Sequence, residues 1–239
     1  NMTSAWWSPV LSIPGDQWPE GGQRSAPILI ERTLPHTIMV NRSGNRFCNE
    51  ATNYSAMAGA FHFFDPNEYG YPNLPAWLIF DSNYREKYPF SNIMPGSNDP
   101  EWFISSENIK ELSEKLEIDS KSLKNTIKVF NSYVDNGEDL EFGRGKSDYD
   151  SFYGDRTQSG VYTTLGKIDK PPFYAVKLDI GALGTNGGAR TDKFGRVISA
   201  SGEIIDGLYT VGNAMAGSTG SVYAGAGGTL GPALTYGYL

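Results

Sequence analysis

The sequence is poor in the residues that build metal sites and disulfides. It contains one cysteine, Cys48, and two histidines, His36 and His62, in 239 residues. A single thiol excludes an internal disulfide framework and a cysteine-rich metal site. Neither histidine is spaced with cysteines or carboxylates in the way that metal ligands are. We therefore predict no metal, and we expect Cys48 to be a small buried apolar residue beside Phe47.

Other absences exclude further classes of protein. No G-x-S-x-G sequence is present and the one thiol has no evident histidine partner, so hydrolase chemistry is disfavoured. The net charge of −7 and pI near 4.9 argue against nucleic acid and anionic membrane surfaces as partners. There is no apolar run of about 18 residues and no signal peptide. We expect a cytoplasmic protein without a membrane span.

Glycine is concentrated towards the C-terminus, where positions 181–237 hold 15 of the 28 glycines. GLYTVGNA, residues 207–214, predicts a short buried strand that ends in a glycine turn. YAGAGGTLGPAL, residues 223–234, predicts a glycine-rich loop that leads into a helix. A helix start aimed at a ligand offers free N–H groups and a positive dipole end. The spacing fits a large, partly anionic cofactor and equally a glycine-rich β-structure with tight turns.

The periodicity of apolar residues predicts three helices. Tyr54, Met57, Ala58 and Phe61 recur at helical spacing within residues 51–61. Two further helices follow Ser106 and the caps Asp119 and Ser120; their apolar faces are Ile109, Leu112 and Leu116, and Leu123, Ile127 and Phe130. Asn136-Gly137 ends the second of these, and residues 138–165 are predicted to be loop.

Strands are predicted where apolar runs lie between turn residues. They cover residues 27–34, 37–41, 76–80 and 173–180, with a hairpin over residues 196–205. Residues 1–25 show no periodicity and are predicted to connect domains, with Trp6, Trp7 and Trp18 as packing anchors.

The sequence resembles the flavoproteins related to fumarate reductase, and among them the 3-ketosteroid dehydrogenases. The matching segments, which cover nearly the whole chain, are AWWSP, GNRFCNEATNY, WLIFD, FGRG, PPFYAVK, GTNGG, TDKFGRV, GLYTVGN and YAGAGGTLGPALTYGYL. RF-x-NE and GLY-x-x-GN mark the superfamily, whereas YAGAG is more specific and marks the ketosteroid branch. The resemblance implies FAD as the cofactor and a 3-ketosteroid as the substrate, and it leaves the electron acceptor unspecified.

The resemblance also implies a fold class. We expect an α+β cap (substrate) domain over residues 21–178. Residues 1–20 would be a linker at the end of the FAD domain. Residues 179–239 would be the C-terminal segment of an α/β Rossmann-like FAD-binding domain. The family's G-x-G-x-x-G fingerprint does not precede Ala5. We therefore expect the C-terminal portion of a longer protein, colourless and inactive by itself, with a helix still in progress at Leu239.

Three positions depart from the fumarate-reducing relatives. Those relatives carry a substrate-binding histidine where this chain has Gly184, a donor arginine where it has Tyr54, and a second arginine where it has Gly225. A dicarboxylate would then be buried without counter-charge, which costs several kcal/mol. The substrate is therefore expected to be neutral and apolar, with a carbonyl.

The resemblance assigns catalytic roles to three residues. Tyr223 and Gly227 match the pair that holds the steroid 3-keto oxygen, where an O–H and a backbone N–H form an oxyanion hole. Tyr54 matches the tyrosine that takes the C2 proton while flavin N5 takes hydride from C1. An ordinary tyrosine pKa near ~10 makes a poor base at neutral pH, so Tyr54 needs a neighbour that lowers it. In the family a second tyrosine comes from the N-terminal domain.

Cofactor contacts are expected at the two glycine-rich features. Gly212 and Asn213 match the first. The backbone N–H groups of Gly228, Thr229 and Leu230 are expected at the flavin O2/N1 edge, at a helix N-terminus. Pro232 suits a position just inside that helix.

Several residues keep a purely structural interpretation beside the functional one. Tyr54 lies on an amphipathic pattern typical of core. The side chains of the NYREKYPF segment, Tyr84, Tyr88 and Phe90, either line a steroid slot or, as we expect, pack the cap domain. Arg46 and Glu50 are expected to form a structural ion pair.

Rival functions also stay open at this stage. One is a dehydrogenase acting on the C4–C5 bond, or another enone-forming or ene-reducing flavoenzyme. The other is an apolar-ligand-binding module without flavin. The colour of the purified protein discriminates the enzymes from the module.

Overall fold

The computed structural model describes residues 2, 4–217, 219–223 and 225–239. The chain forms two compact units: the larger is Pro9–Gly181, and the smaller combines Asn1–Ser8 with Ala182–Leu239. Residues 9–20, predicted to be linker, belong to the larger unit, and the second division falls three residues after the predicted boundary at 178. Whether these units are the cap and FAD-binding domains stays a prediction here.

A six-stranded sheet is the framework of the larger unit. Its strands are β1 (Ala5–Gln17), β2 (Gln23–Pro27), β3 (Thr37–Asn41), β4 (Ala76–Asp81), β5 (Ile104–Ser106) and β6 (Phe173–Thr185). The order is β2-β1-β6-β4-β3, and β5 also pairs with β6. The register is antiparallel on both sides of β4, which lies between β3 and β6: Ile79 lies opposite Ile38 on one side and Ala175 on the other.

The helices and remaining strands complete the two units. The helices are α1 (Tyr54–Phe61), α2 (Ser82–Lys87), α3 (Ile109–Lys115), α4 (Ser120–Asn136), α5 (Asp148–Phe152) and α6 (Leu230–Tyr238). Short 3-10 helices occupy Gly160–Thr163 and Gly212–Ala214, and β7 (Arg196–Ile198) pairs antiparallel with β8 (Ile204–Tyr209) as the predicted hairpin. Within the described residues, no helix combines the length and the apolar character needed to cross a bilayer.

Buried side chains that point alternately to the two faces of the sheet divide the core into two clusters. Leu78 and Phe80 of β4 pack in one cluster with Met57 and Phe61 of α1. Ile79, between them in sequence, packs in the other cluster with residues of α3 and α4. Because successive strand residues point to opposite faces, this sheet carries a buried apolar layer on each side.

The predicted helices are confirmed, and their ends follow the capping residues. All four residues of the predicted α1 face are buried. Asp119 caps the start of α4, its side chain accepting from Ser122 N, and Gly137, with a φ of 67°, caps the end. That left-handed conformation is accessible to glycine at low cost, which is why Asn136-Gly137 marks the end correctly.

Two predictions near the N-terminus, one of a connection and one of a strand, are wrong. Residues 1–25 are not an irregular connection, because β1 and β2 occupy most of them. The strand predicted over 27–34 is absent, since β2 ends at Pro27 and the chain turns, with Thr33 N donating to Ile30 O at 2.8 Å. Trp6 is buried as expected of an anchor, but Trp18 is 53% exposed, with the Arg24 guanidinium 4.8 Å from its ring centroid, so it is not the predicted buried anchor.

Two further regions differ from expectation. Residues 138–165 contain α5 and a 3-10 helix, and they bury Asp139, Arg144 and Asp150. The segment 207–214 does contain the end of β8 and a glycine turn, but every residue of β8 is exposed, so its predicted burial is wrong. The apolar composition of a strand favours burial, but no other part of the described chain packs over β8 and buries it.

Candidate functional site

The glycine-rich segments predicted to hold a cofactor meet within the smaller unit. Gly212 has a φ of +60°, and a Cβ added to it would lie 2.9 Å from Ala233 Cβ, so this turn packs directly on α6. A Cβ on Gly188 would lie 1.9 Å from Ala214 O, and one on Gly184 would lie 3.3 Å from Asn213 Nδ2. Glycine is therefore required where GTNGG and GLYTVGN approach each other.

The start of α6 follows the predicted loop. Thr229 precedes the helix and makes no side-chain cap, and Pro232 lies in the first turn, as predicted. Gly231 N donates to Gly227 O at 2.8 Å and Gly228 N donates to Gly225 O at 3.0 Å. The N–H of Gly228 is thus engaged in a turn, so of the three donors predicted for the flavin edge, Thr229 and Leu230 are the better candidates.

Tyr223 and Gly227 lie in the same loop, and Ala224 between them lies outside the described residues. The Tyr223 ring is half-buried, with its centroid 5.0 Å from the Trp6 ring at 52°. Gly225 and Gly227 have φ values of +98° and +89°, and no atom lies within 4 Å of a Cβ built on either. This backbone is open to a ligand. The carbonyl-holding role of Tyr223 and Gly227 stays a prediction.

A small polar cavity of about 10 Å³ lies beside this loop and the start of α6. Trp6, Asn186, Asn213 and Gly228 are among its lining residues. Trp6 Nε1 and Asn186 Oδ1 are buried and have no hydrogen-bond partner in the described part of the chain. An orphaned donor and an orphaned acceptor cost free energy until something pairs with them. Sequence reasoning missed both atoms, although each lies in a segment of the family resemblance.

Tyr54 is the first residue of α1 in the larger unit and is 8% exposed. Asn53 caps the helix by accepting from Ser55 N at 2.9 Å and Ala56 N at 3.3 Å. Just before it, Asn49 Nδ2 donates to Asp150 at 2.9 Å. Tyr54 is thus held on a well-bonded helix start, which suits a core residue and a catalytic residue alike, so its role stays a prediction.

The ion pair expected in RF-x-NE is confirmed and belongs to a larger buried network. Arg46 binds Glu50 through two bonds of 2.8 and 2.7 Å and Asp139 through two of 3.0 and 2.9 Å. Arg144 adds a contact of 3.3 Å to Glu50. Burial alone would raise the pKa of Glu50, but the charge and hydrogen bonds of Arg46, together with Arg144, hold that pKa below its usual value.

Two expectations about packing residues are confirmed. Cys48 is buried with a free thiol, and burial, together with the charge of Glu50, raises its pKa, so the thiol is inert in the folded chain. Tyr84, Tyr88 and Phe90 belong to the buried core, and the Phe90 ring stacks on Phe80 at 5.2 Å. These aromatic side chains pack the larger unit, as expected.

Comparisons with known proteins identify the family to which these glycine-rich segments belong. A family model described as FAD binding domain matches residues 1–230. The chain is 39% identical to a 3-oxosteroid 1-dehydrogenase of Mycobacterium tuberculosis, over all of this chain and 42% of that protein. It is also 39% identical to a 4-oxocyclohexanecarboxylate 2-dehydrogenase of Sinomonas cyclohexanicum, over 98% of this chain and 41% of that protein. The chain thus spans about two fifths of the length of these relatives.

A solved structure is similar over the same range. The 3-ketosteroid Δ1-dehydrogenase of Sterolibacterium denitrificans, in complex with 1,4-androstadiene-3,17-dione, superposes with a TM-score of 0.88 and 37% identity. The superposition covers 98% of this chain and 42% of that one. The resemblance to ketosteroid dehydrogenases drawn from RF-x-NE and YAGAG is confirmed, and the fold is a mixed α/β fold similar to that of the FAD-dependent dehydrogenases. The chain belongs to the FAD binding domain family, whose cofactor is FAD.

Proposed function

We propose that the protein containing this chain is an FAD-dependent 3-ketosteroid Δ1-dehydrogenase, which introduces a C1–C2 double bond into the A ring. The observation that carries the proposal is the continuous similarity, 39–40% identity over the full chain, to 3-oxosteroid 1-dehydrogenases. That similarity includes the loop with Tyr223 and Gly227 and the helix start with Tyr54.

In this proposal the two units have separate tasks. The larger unit, Pro9–Gly181, is the substrate-binding cap domain. The smaller unit is the C-terminal segment of a Rossmann-like FAD-binding domain. Its internal contacts support the assignment, because they bring together the glycine segments that the family resemblance links to the cofactor. The cytoplasmic location stays a prediction.

The residues of the smaller unit fit FAD as their ligand. Gly225 and Gly227 present open backbone, and α6 begins without a side-chain cap, which leaves room for a group that accepts hydrogen bonds at a helix N-terminus. Thr229 and Leu230 are proposed to face the flavin ring, with Gly212 and Asn213 on another part of the cofactor. Bound FAD would accept the hydride removed from the steroid.

The protein's own groups are proposed to handle the carbonyl and the proton. The Tyr223 O–H and the Gly227 N–H donate to the 3-keto oxygen, and this oxyanion hole stabilises the developing enolate by a few kcal/mol. Polarising the carbonyl makes the adjacent C2 hydrogens more acidic. Tyr54, acting as the phenolate after loss of its own proton, then takes the C2 proton, so that the C2–H electron pair forms the new double bond as hydride leaves C1.

A second substrate class is favoured by a specific observation. The relative from Sinomonas cyclohexanicum is named for a monocyclic oxo acid and is as similar to this chain as the steroid enzymes are. Removal of a proton and a hydride from two adjacent carbons, the first of them next to the ketone, would also desaturate that oxo acid. Gly184 and Gly225 offer no charge to a carboxylate, whereas an uncharged steroid ketone requires none. We therefore propose a steroid ketone, rather than an oxo acid, as the preferred substrate.

The test uses the full-length protein loaded with FAD and compares 4-oxocyclohexanecarboxylate with 5α-androstane-3,17-dione, a 3-ketosteroid that is saturated at both C1–C2 and C4–C5. We expect 1,2-desaturation of the steroid, and we expect Tyr54→Phe to lower it by about 10²–10⁴-fold, as is usual when a general base is lost. Exchange of the C2 hydrogens into deuterated water should fall in the same variant. If Tyr54→Phe retains more than about a tenth of the wild-type rate, against that usual loss, Tyr54 is a packing residue.

Two further outcomes bear on the proposal as a whole. Desaturation at C4–C5, or preference for the monocyclic acid, would replace the proposed reaction or substrate. A full-length protein that binds steroid but never flavin would be a binding module. For the isolated chain we expect no yellow colour.

A further inference from the structure

Arg32 is a fully buried arginine outside the site described above. It lies in the turn between β2 and β3, and its side chain is among the largest fully buried ones in the chain. Its guanidinium bonds to backbone carbonyls: Nε donates to Ile28 O at 3.1 Å, and Nη1 donates to Thr52 O at 2.9 Å and also to Glu50 O. Within the described residues no carboxylate pairs with it.

The carbonyls that Arg32 holds belong to the segment leading into α1. Glu50 O and Thr52 O lie four and two residues before Tyr54. Between them and Tyr54 lies Asn53, whose carbonyl accepts from Met57 N at 3.0 Å and starts the helix. Arg32 therefore ties the turn at residues 28–32 to the backbone from which α1 begins.

This arrangement costs free energy that an apolar side chain would avoid. Burying a guanidinium is expensive, and burial lowers the pKa of Arg32 to about 10. The buried Nη2 also has no partner in the described part of the chain. Three convergent donors in a rigid fork do, however, fix the positions of several carbonyls at once. The benefit of Arg32 is thus geometric.

We propose that Arg32 is a positioning residue for Tyr54. By clamping the carbonyls of Glu50 and Thr52, it sets where the first residue of α1 lies, and so keeps the phenol within reach of the C2 hydrogen. The inference rests on the proposed role of Tyr54. Catalytic geometry is sensitive at this scale, since a misplacement of about 1 Å can cost about 10²-fold in rate.

A double-mutant cycle in the full-length, FAD-loaded enzyme tests the inference. The variants are Arg32→Met, Tyr54→Phe and the two combined, and rates are expressed per folded, flavin-loaded molecule. We expect Arg32→Met to lower kcat by about 10–10²-fold and to lower kcat/KM equally, because the lost interaction acts in the transition state. In the Tyr54→Phe background the same substitution should cost nothing further.

The matched control is Arg85→Met. Arg85 is also buried and also clamps backbone carbonyls, donating to Met94 O at 2.8 Å and Ser97 O at 2.7 Å, but it holds a loop remote in sequence from α1. We expect Arg85→Met to lower stability while leaving kcat per folded molecule unchanged.

The outcomes are distinct. If Arg32→Met lowers kcat by the same factor with and without the Tyr54 hydroxyl, its role is structural and the inference is overturned. If Tyr54→Phe itself retains its rate, the proposed role of Tyr54 fails first. Should Arg32→Met not fold, Arg32→Lys keeps the charge with fewer aligned donors and carries the same cycle. An Arg32→Lys enzyme as fast as the wild type would also overturn the inference.

Discussion

The two units place their polar and apolar groups in opposite ways. The larger unit buries charge, with Arg46, Glu50, Asp139 and Arg144 joined in one ion network inside it. In the smaller unit no residue of α6 or β8 is buried, and apolar side chains such as Leu208 and Leu234 are exposed. Buried ion networks fix a structure from within, whereas exposed apolar patches mark surfaces that meet something else. The larger unit is thus defined by its own contacts, and the smaller unit presents surfaces for a partner or ligand.

The largest expected effect breaks the network of the larger unit. Glu50→Gln removes the carboxylate that pairs with Arg46 and Arg144 and leaves two guanidinium groups underneutralised. We expect the free energy of unfolding of the larger unit to fall by about 3–5 kcal/mol, measured by urea titration of tryptophan fluorescence. Glu86→Gln, at an exposed pair with Lys170, is the control and should change stability little. Equal losses of unfolding free energy in the two variants would contradict the view that the buried ion network stabilises the larger unit.

The next largest effect is a loss of catalytic rate, without a loss of stability, when Tyr223 of the smaller unit is substituted. Tyr223→Phe in the full-length enzyme removes the O–H that is proposed to donate to the 3-keto oxygen, and it should lower kcat by about 10²–10³-fold. Flavin content and the unfolding midpoint should be unchanged. Tyr238→Phe, a 92% exposed residue of the same unit, serves as the matched variant. Near wild-type turnover of a 3-ketosteroid by Tyr223→Phe would remove this residue from the site.

A smaller effect tests the packing of the glycine turn on α6. Gly212→Ala forces a Cβ to within 2.9 Å of Ala233 Cβ at a φ of +60°. Gly207→Ala has the same kind of backbone, with a φ of +76°, but meets nothing within 4 Å. Overpacking commonly costs about 1–3 kcal/mol, so Gly212→Ala should be less stable than Gly207→Ala by that amount. Hydrogen exchange over residues 204–239 of the full-length protein measures the difference, and equal protection would count against the contact.

The smallest effect is a pH dependence of the stability of the larger unit. Burial would raise the pKa of Asp155, but hydrogen bonds from Lys87, Thr157 and Tyr88 outweigh it and lower that pKa. Because the folded pKa lies below the unfolded one, this stabilisation is present above about pH 4 and is lost as the pH falls further. Urea midpoints between pH 6 and pH 3 should therefore fall less steeply in Asp155→Asn than in the wild type. Identical slopes would show that these bonds add no pH-dependent stability.

Local signals explain which parts of the fold could be predicted from the sequence. α1 and α4 carry helical periodicity and side-chain caps at Asn53 and Asp119, and both were predicted correctly. The burial of Asp139 and Arg144 was not predicted, because these residues are held by Arg46 and Glu50, far away in sequence. No periodicity reports such long-range bonds.

The candidate site shows the same limit. The glycine segments could be identified because close approach and positive φ demand glycine, as at Gly188 and Gly212. The roles of Tyr54 and Tyr223 came from family resemblance, since 14 tyrosines give no pattern of their own. The buried atoms Trp6 Nε1 and Asn186 Oδ1 could not be foreseen, because an unpaired donor or acceptor is visible only once its neighbours are placed.

Cys48, the one cysteine of this chain, can report how often its buried surroundings open. Cys48 lies between Arg46 and Glu50, inside the segment that the ion network holds. A reagent that modifies thiolates can reach it only when that segment opens, so each labelled molecule records one opening event. The labelling rate of Cys48 under native conditions would time the transient opening of the irregular segment that precedes α1, without an engineered probe.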